Sequence, residues 1–396
     1  MVSIGFVYFC SVIKNNYELQ NDGTMKNILS KRTFIVLPLF LFSLHPLWGQ
    51  KSNFKNDICI PGKLYMLSDI RNDVFVEALI KRWRPYNDFV RFSGDCVYSR
   101  KLNRVASVDT PVDGSNMKIE LVNSDEFEII KEKAISICVG KKGIGTQEVT
   151  VQILGDSFVN GAFFRDALLS KNYIPGIKLV GLRNIKNEEG QYDEGRGGWT
   201  VKKYFEIPKG EMTSYHGYMQ PVGEYRYWGS CEFWKNCYKV INGELTDTEI
   251  VYNCGRYDQC ITKFDKETGY LAAPKKNDLM YDNARGSYMV YTEKKWKNVE
   301  VDERKWAFNY RKYLDMWNLD APKFFAQMLG LNDYRDSLTA DYREWNKKIA
   351  EMKESYYKAV PDGKFIIMIP CTTCGSLNNI RGDFTLRQNA AMWQLR

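Results

Sequence analysis

Histidine is what this chain of 396 residues has least of, because only two are present. His45 lies in an N-terminal apolar run and His216 lies near the middle of the chain. Histidine is the usual general base in catalysis and a frequent metal ligand. No cluster of histidine and acidic residues with metal-ligand spacing occurs either, so a metal-dependent or phosphodiester-cleaving enzyme is disfavoured. The sequence predicts neither a metal nor a cofactor.

Clusters of basic residues are also missing, although the formal net charge of the chain is +8. The first 50 residues carry four bases and two acids, which leaves +6 for the rest. A nucleic-acid-binding protein concentrates its positive charge on one surface. No nucleic-acid partner is therefore predicted. The content of 44% hydrophobic and 26% charged residues is typical of a globular protein.

A long uninterrupted apolar run is absent, since Phe34–Trp48 is short and broken by proline. The basic segment Met25–Arg32 precedes it, and together they form the n-region and h-region of a secretory signal peptide. We expect residues 1–50 to be a leader whose true start is Met25, with a second apolar anchor at Ile4–Val12 as the weaker alternative. The mature protein is then exported, periplasmic or secreted, without a stable membrane span.

Cysteine is plentiful by contrast, with ten residues of which nine follow the leader. In an exported protein these favour disulfides, and their odd number leaves at least one thiol unpaired. The spacing does not show which cysteines pair. Zinc bound by four of them is the alternative, but their C-x5-C spacings exceed those of common zinc sites. These four are Cys231, Cys237, Cys254 and Cys260.

The pattern of apolar residues changes near residue 148 and predicts two domains. Residues 57–147 contain short apolar stretches separated by turn signals, which predicts a small β-sandwich accessory domain. From residue 148 onward, predicted strands alternate with helical segments, which favours an α/β fold with a doubly wound parallel sheet. These strands lie at 149–154, 177–182, 323–329 and 365–370. An aromatic and cysteine-rich insert at about 205–300 is interpreted as a small core that is stapled by disulfides and covers the sheet, in preference to a surface that stacks sugars or acyl groups.

Two helices are predicted from apolar residues that recur on one face. The first carries Trp306, Tyr310, Tyr313, Leu314 and Trp317. The second carries Leu338, Tyr342, Trp345, Ile349, Met352 and Tyr356. Both faces are interpreted as core contacts.

A Gly-Asp-Ser triplet at 155–157 follows the first of these strands and begins a helical pattern. A serine at such a junction meets free backbone N–H groups and the positive end of the helix dipole, both of which favour developing negative charge. Ser157 is therefore a candidate nucleophile for attack on a carbonyl. The alternative is that Ser157 only caps the helix.

Three segments together resemble the conserved blocks of the SGNH (GDSL-type) hydrolases over residues 148–396. Gly155-Asp-Ser-Phe-Val-Asn-Gly161 resembles the GDSxxxG nucleophile block, and Glu194-Gly-Arg-Gly-Gly-Trp-Thr200 resembles the second block. Gly330-Leu-Asn-Asp333 resembles the third, Gly-x-Asn-Asp. The resemblance implies a flavodoxin-like fold and an exported serine esterase or deacetylase that acts on a small-molecule or carbohydrate ester.

The resemblance also implies roles for individual residues. Ser157 would be the nucleophile, and its N–H would form the oxyanion hole with the N–H of Gly198 and the side chain of Asn332. Gly197 is the neighbouring alternative to Gly198. Asp156 is expected to brace the turn. Removing one oxyanion donor typically lowers the rate by about a hundred- to a thousandfold.

The general base is where the chain departs from this family. The family's fourth block, Asp-x-x-His, does not occur, so the catalytic histidine and its aspartate are absent from the chain. His216 lies in the insert and is interpreted as structural. We expect a C-terminal truncation within the hydrolase domain, and the alternative is a non-catalytic carbohydrate-binding or surface protein that has lost its base.

Overall fold

The computed structural model describes residues 57–58, 60, 62–68, 70–75, 79–81, 88–95, 98–100, 105–141, 148–170, 176–184, 191–334 and 342–368. These residues divide into two compact units. The first contains the described residues up to Leu64 together with those of Arg71–Cys138, and the second contains those of Tyr65–Ile70 and those from Val139 onward. No helix in the described part of the chain is long and apolar enough to cross a membrane. The predicted leader, Cys59, Cys96, Cys371 and Cys374 lie outside the described residues.

The N-terminal strands form three separate sheets with the orders β2-β9-β8-β5, β3-β7-β6 and β1-β4. Apolar side chains alternate along β8, where Met117, Ile119 and Leu121 are fully buried. Successive side chains of a strand point to opposite faces, so this alternation gives the sheet one buried face. The strands are β1 (Asp57–Ile58), β2 (Lys63–Leu67), β3 (Asn72–Phe75), β4 (Ile80–Lys81), β5 (Asp88–Ser93), β6 (Tyr98–Arg100), β7 (Val105–Val108), β8 (Asn116–Asn123) and β9 (Ile129–Gly140).

The second unit mixes strands with mostly short helices. Two single 3-10 turns, Lys202–Phe205 and Glu303–Lys305, lie between the other elements. These elements are, in chain order, β10 (Val149–Gly155), α1 (Ser157–Asn160), α2 (Phe163–Ser170), β11 (Ile177–Leu179), β12 (Glu194–Gly195), β13 (Met219–Pro221), β14 (Arg226–Ser230), α3 (Cys231–Ile241), α4 (Thr248–Cys254), α5 (Asp258–Ile261), β15 (Asp278–Asp282), β16 (Ser287–Tyr291), β17 (Trp296–Val299), β18 (Trp306–Phe308), α6 (Tyr310–Trp317), β19 (Phe324–Met328), α7 (Leu331–Tyr334), α8 (Tyr342–Ala359) and β20 (Lys364–Ile367).

One sheet of this unit is parallel, with the order β11-β10-β19-β20, and β12 pairs with the end of β10. Gly155 at the end of β10 is in register with Gly195 of β12 and with Met328 of β19. The carboxyl ends of these three strands therefore lie side by side. The residues that follow them are brought together at one edge of the sheet.

The predicted fold class, a flavodoxin-like doubly wound sheet after a small β-sandwich, is wrong. The described chain forms six small sheets of mixed type, and the strands β11 and β12 of the parallel sheet have only three and two residues. Between β12 and β19 the chain does not alternate strand and helix across that sheet. It builds the separate sheets β13-β18 and β14-β15-β16-β17 instead. Antiparallel hairpins such as β15–β16–β17 close over short loops, which costs less chain entropy than a crossover connection.

The positions of individual strands and helices agree with the sequence predictions better than the overall fold does. Strands occur close to all four predicted positions, because alternation and strand length depend on local sequence. Trp306 is an exception, since it lies on β18 and not on the helix with Tyr310 and Trp317. Helix α8 begins at Tyr342, and Leu338 lies outside the described residues.

The insert at 205–300 packs its aromatic rings into the core of the unit. Trp234 stacks on Phe264 with ring centroids 4.0 Å apart, and Tyr218 stacks on Tyr313 at 4.3 Å. Among the described residues five cysteines are free thiols, so disulfides do not staple this core in the structure. They are Cys138, Cys231, Cys237, Cys254 and Cys260.

Candidate functional site

Ser157 begins α1 directly after β10, with its side chain exposed between buried neighbours. The N-cap of α1 is Asp156, whose Oδ1 accepts a hydrogen bond from the Phe158 N–H at 3.1 Å. The alternative that Ser157 itself caps the helix is therefore wrong. Since Asp156 satisfies the capping requirement, the helix does not need the hydroxyl of Ser157 as its cap.

Two glycines allow α1 to lie directly against the strand ends. A Cβ on Gly155 would come within 2.5 Å of Val159 Cγ2 and 2.7 Å of the Met328 carbonyl oxygen. A Cβ on Gly195 would collide with the backbone nitrogen of Asn160. Larger residues at these positions would push Ser157 away from β12 and β19.

The loop after β12 carries the two predicted oxyanion glycines. Gly198 has φ +73°, a left-handed conformation that glycine adopts without strain. No atom lies within 4 Å of the position that its Cβ would take, so space is open beside this backbone. Gly197 differs, because its Cβ would collide with the Tyr252 hydroxyl. Gly198 is thus the glycine of the pair with room for a ligand beside it.

Asn332 lies on α7, after β19, and its amide connects the three blocks. Its Nδ2 donates to the Trp199 carbonyl oxygen at 3.0 Å and to Asp156 Oδ2 at 3.4 Å. The adjacent Asp333 accepts from the Val201 N–H, with its two carboxylate oxygens at 3.0 and 3.2 Å. The structure therefore brings together the segments that contain Ser157, Gly198 and Asn332. Their catalytic roles remain predictions.

Two carboxyl groups at this edge are less acidic than usual. Burial and, to a smaller extent, the charge of Asp333 together raise the pKa of Asp156 to about 7, against the lowering effect of the Phe158 N–H bond. Burial likewise raises the pKa of Asp333 to about 6, against backbone hydrogen bonds that lower it. Asp156 is fully buried, so its charged form loses almost all of its hydration.

A buried ion pair beneath the glycine loop was missed by sequence reasoning. Glu194 Oε2 accepts from Arg196 Nη1 at 2.7 Å, and both side chains are at most 1% exposed. Glu194 Oε1 also accepts from the Tyr313 hydroxyl at 2.6 Å, while Arg196 Nη2 donates to the Tyr215 carbonyl oxygen at 2.6 Å. This network anchors the residue immediately before Gly197. Its signal in the sequence was two opposite charges within a glycine-rich segment.

His216 is not available as a base. Its Nδ1 accepts from the Tyr218 N–H at 3.2 Å, so Nε2 carries the proton and donates to the Glu206 carbonyl oxygen at 2.9 Å. Burial and the charge of Arg196 lower its pKa to about 3. Both ring nitrogens of this neutral imidazole are therefore occupied in holding the fold.

A cavity of about 620 Å³ opens beside the glycine loop. Its wall includes the segment 197–199 and Tyr252, whose hydroxyl accepts a hydrogen bond from Asn160 Nδ2 at 3.0 Å. Acidic groups outnumber basic ones in the wall, which disfavours an anionic ligand. These exposed charged residues are Lys203, Glu206, Glu211 and Glu249. Among the described residues, no group of three or more His, Cys, Asp or Glu side chains could hold a metal ion.

Comparison with known proteins shows no family for this chain. No family model and no curated protein matches the chain. A "putative alpha-galactosidase" from Bacteroides fragilis matches 32% of this chain and 28% of its own at 13% identity, with a TM-score of 0.18. The GspB Siglec domain matches 30% of this chain and 75% of its own at 12% identity, with a TM-score of 0.14. Both TM-scores are too low to indicate a shared fold or function.

Proposed function

We propose that the protein is a serine-type carboxylic ester hydrolase, similar in its site to the SGNH (GDSL-type) hydrolases, with Ser157 as its nucleophile. The observation that carries the proposal is the hydrogen bond from Asn332 to the Trp199 carbonyl oxygen. It holds the amide of the third block against the loop of the second, next to the end of β10. Together with the bond from Asn332 to Asp156, it supports a site in which the segments that carry Ser157, Gly198 and Asn332 act together.

The proposed reaction is acyl transfer through Ser157. Its Oγ attacks the ester carbonyl, and the N–H groups of Ser157 and Gly198 and the amide of Asn332 stabilise the oxyanion. Ser157 gives its hydroxyl proton to water, and the departing alkoxide takes a proton from water and leaves as the alcohol. A water molecule then hydrolyses the acyl-enzyme, which releases the acid and restores the serine. The substrate is a small ester, such as an acylated carbohydrate, with part of it in the 620 Å³ cavity.

The proton of Ser157 has no histidine acceptor among the described residues, since His216 is fully engaged. A site that keeps its oxyanion hole but lacks a triad member retains only about 10³–10⁴-fold catalysis over water. We therefore expect slow hydrolysis of simple acetyl esters. Covalent labelling of the serine is the more direct test.

The first prediction is that a fluorophosphonate labels Ser157 and that peptide mass spectrometry places the adduct there. Ser157→Ala should abolish that adduct, because the attacking oxygen is removed. Ser93→Ala is the matched control, since Ser93 is also exposed but belongs to strand β5 and does not begin a helix. Equal labelling of the wild type and Ser157→Ala would refute the serine mechanism.

A non-catalytic carbohydrate-binding role is the second candidate, and the engaged state of His216 favours it. Binding would use the cavity beside the glycine loop and would not need the hydroxyl of Ser157. Calorimetry with neutral oligosaccharides on the wild type and Ser157→Ala separates the two roles. Unchanged binding together with no fluorophosphonate adduct would favour the binding protein.

A further inference from the structure

The side-chain amide nitrogen of Asn332 donates to two acceptors within the protein. One bond, to the Trp199 carbonyl oxygen, is 3.0 Å long, and the other, to Asp156 Oδ2, is 3.4 Å long. An oxyanion can bind Asn332 only by replacing one of these acceptors. The longer bond is the weaker one. Asp156 is therefore the group that competes with substrate for this donor.

The charge of Asp156 decides how strong that competition is. A carboxylate holds an N–H donor about twice as strongly as a neutral acceptor does. It would also repel an oxyanion formed beside Asn332. A protonated carboxyl has neither effect.

Few charged groups act on Asp156. Asp333 on α7 is the charged side chain whose Coulomb interaction raises the pKa of Asp156. In the loop after β12, Arg196 is paired with Glu194. In the 3-10 turn that follows, the Tyr204 hydroxyl donates to the Gly155 carbonyl oxygen and stays protonated, because burial raises its pKa. From α1, the uncharged Phe158 N–H donates a hydrogen bond to Asp156 Oδ1.

We propose that Asp156 is a positioning residue that must be protonated for Asn332 to bind the oxyanion. The carboxylate form withdraws the Asn332 amide from the substrate, and the neutral form releases it. This inference rests on the proposed function of Ser157. Because the pKa of Asp156 is raised to about 7, the exchange between the two forms falls near neutral pH.

The second prediction uses Asp156→Asn, a neutral side chain that can still cap α1. We expect the ratio of fluorophosphonate labelling rates, wild type over Asp156→Asn, to be near one at pH 5.5. It should fall at least tenfold by pH 9, with a midpoint near pH 7, because only the wild type becomes charged. Taking the ratio cancels the pH dependence of the serine and of the probe.

Asp333→Asn is the matched control for charge. It removes the neighbouring carboxylate and keeps an oxygen that can accept from Val201 N–H. The midpoint should then move to lower pH, since the Coulomb effect of Asp333 on Asp156 is lost. This variant also tests the inference if Asp156→Asn does not fold, as judged by circular dichroism.

A measurement without catalysis separates the two proposals. In ¹⁵N-labelled protein, the Asn332 side-chain amide is assigned by its loss in Asn332→Ala. Its resonance should shift with a midpoint near pH 7 in the wild type, and Asp156→Asn should keep only the shift near pH 6 that the adjacent Asp333 causes. A rate ratio or amide resonance that does not change between pH 5.5 and 9 would overturn the inference. Absence of any Ser157 adduct at every pH would overturn the proposed function, whereas the amide titration would still report on Asp156.

Discussion

The edge of the parallel sheet and the aromatic segment 205–300 are built on opposite principles. At the edge, glycines bring α1 into contact with β12 and β19, and buried polar groups set the positions of the loops. In the aromatic segment, large rings fill space, as Trp234 does against Phe264. Close backbone contact fixes the position of a few atoms, whereas ring packing mainly buries apolar area. Close backbone contact suits a reactive site, whereas ring packing suits a core that supports such a site.

The third prediction has the largest expected effect on stability and concerns the aromatic segment. Trp234→Ala should lower the free energy of unfolding by about 3–5 kcal/mol, since it leaves a cavity in the core. It also removes the indole N–H bond to the Trp228 carbonyl oxygen, which is 2.7 Å long. Urea denaturation measures the loss. Trp296→Ala is the control, because Trp296 is only partly buried.

The comparison predicts that Trp234→Ala, while folded, keeps the pH dependence of Ser157 labelling. If this variant instead changed the midpoint of that dependence, the ring core would take part in setting the site. The distinction between a sheet edge that forms the site and an aromatic segment that only supports it would then be wrong.

The fourth prediction has an intermediate expected effect and concerns how the free energy of unfolding depends on pH through Asp156 at the sheet edge. The pKa of Asp156 is raised from 3.8 to about 7 in the folded protein, so the folded state binds its proton more tightly than the unfolded state does. This contribution to stability is present at low pH and is lost as the pH rises from about 4 to 7. At 1.36 kcal/mol per pKa unit the loss is about 4 kcal/mol at most.

Asp156→Asn removes this titration. Urea denaturation at pH 5 and pH 8 should therefore show a smaller decrease for the variant than for the wild type, and taking the difference cancels the other titrating groups. An identical decrease in both proteins would show that the carboxyl of Asp156 titrates normally. Burial at the sheet edge would then not raise the pKa of Asp156 above that of an exposed carboxyl.

The fifth prediction has the smallest effect on stability and the most local one. Gly198→Ala and Gly243→Ala each place a Cβ where φ is positive, +73° and +77°, and where nothing lies within 4 Å. Each should cost about 1–2 kcal/mol through backbone strain alone. Only Gly198→Ala should also slow labelling of Ser157, because only that backbone lies at the proposed site. Equal labelling rates in the two variants would contradict the proposed role of Gly198 in the oxyanion hole.

Local features of the fold were predictable from local sequence. The alternation of Val149, Val151 and Ile153 predicted β10, and the repeat of Trp345, Ile349, Met352 and Tyr356 predicted the buried face of α8. The sheet arrangement was not predictable in this way. The strand Asp278–Asp282 pairs in parallel with β14 and antiparallel with β16, and periodicity does not specify these partners.

The candidate site also has features that the sequence predicted and features that it did not. The triplet at 155–157 and the glycine and asparagine blocks indicated which segments would meet. The N-cap role of Asp156, its competition for the Asn332 amide and the buried pair of Glu194 and Arg196 were not indicated. The first and last of these join residues two apart in the chain, but the contact between Asp156 and Asn332 forms only after distant strands have paired.

The sequence by itself determined the short strands, the helical faces and the order of the three blocks, because these follow from contacts between residues close in the chain. Only the tertiary structure decided that the chain builds several small sheets in place of one doubly wound sheet. It also decided that His216 is sealed in the core and that Asp156 is fully buried beside Asn332. Burial and long-range pairing set hydration and Coulomb interactions, which no local pattern records.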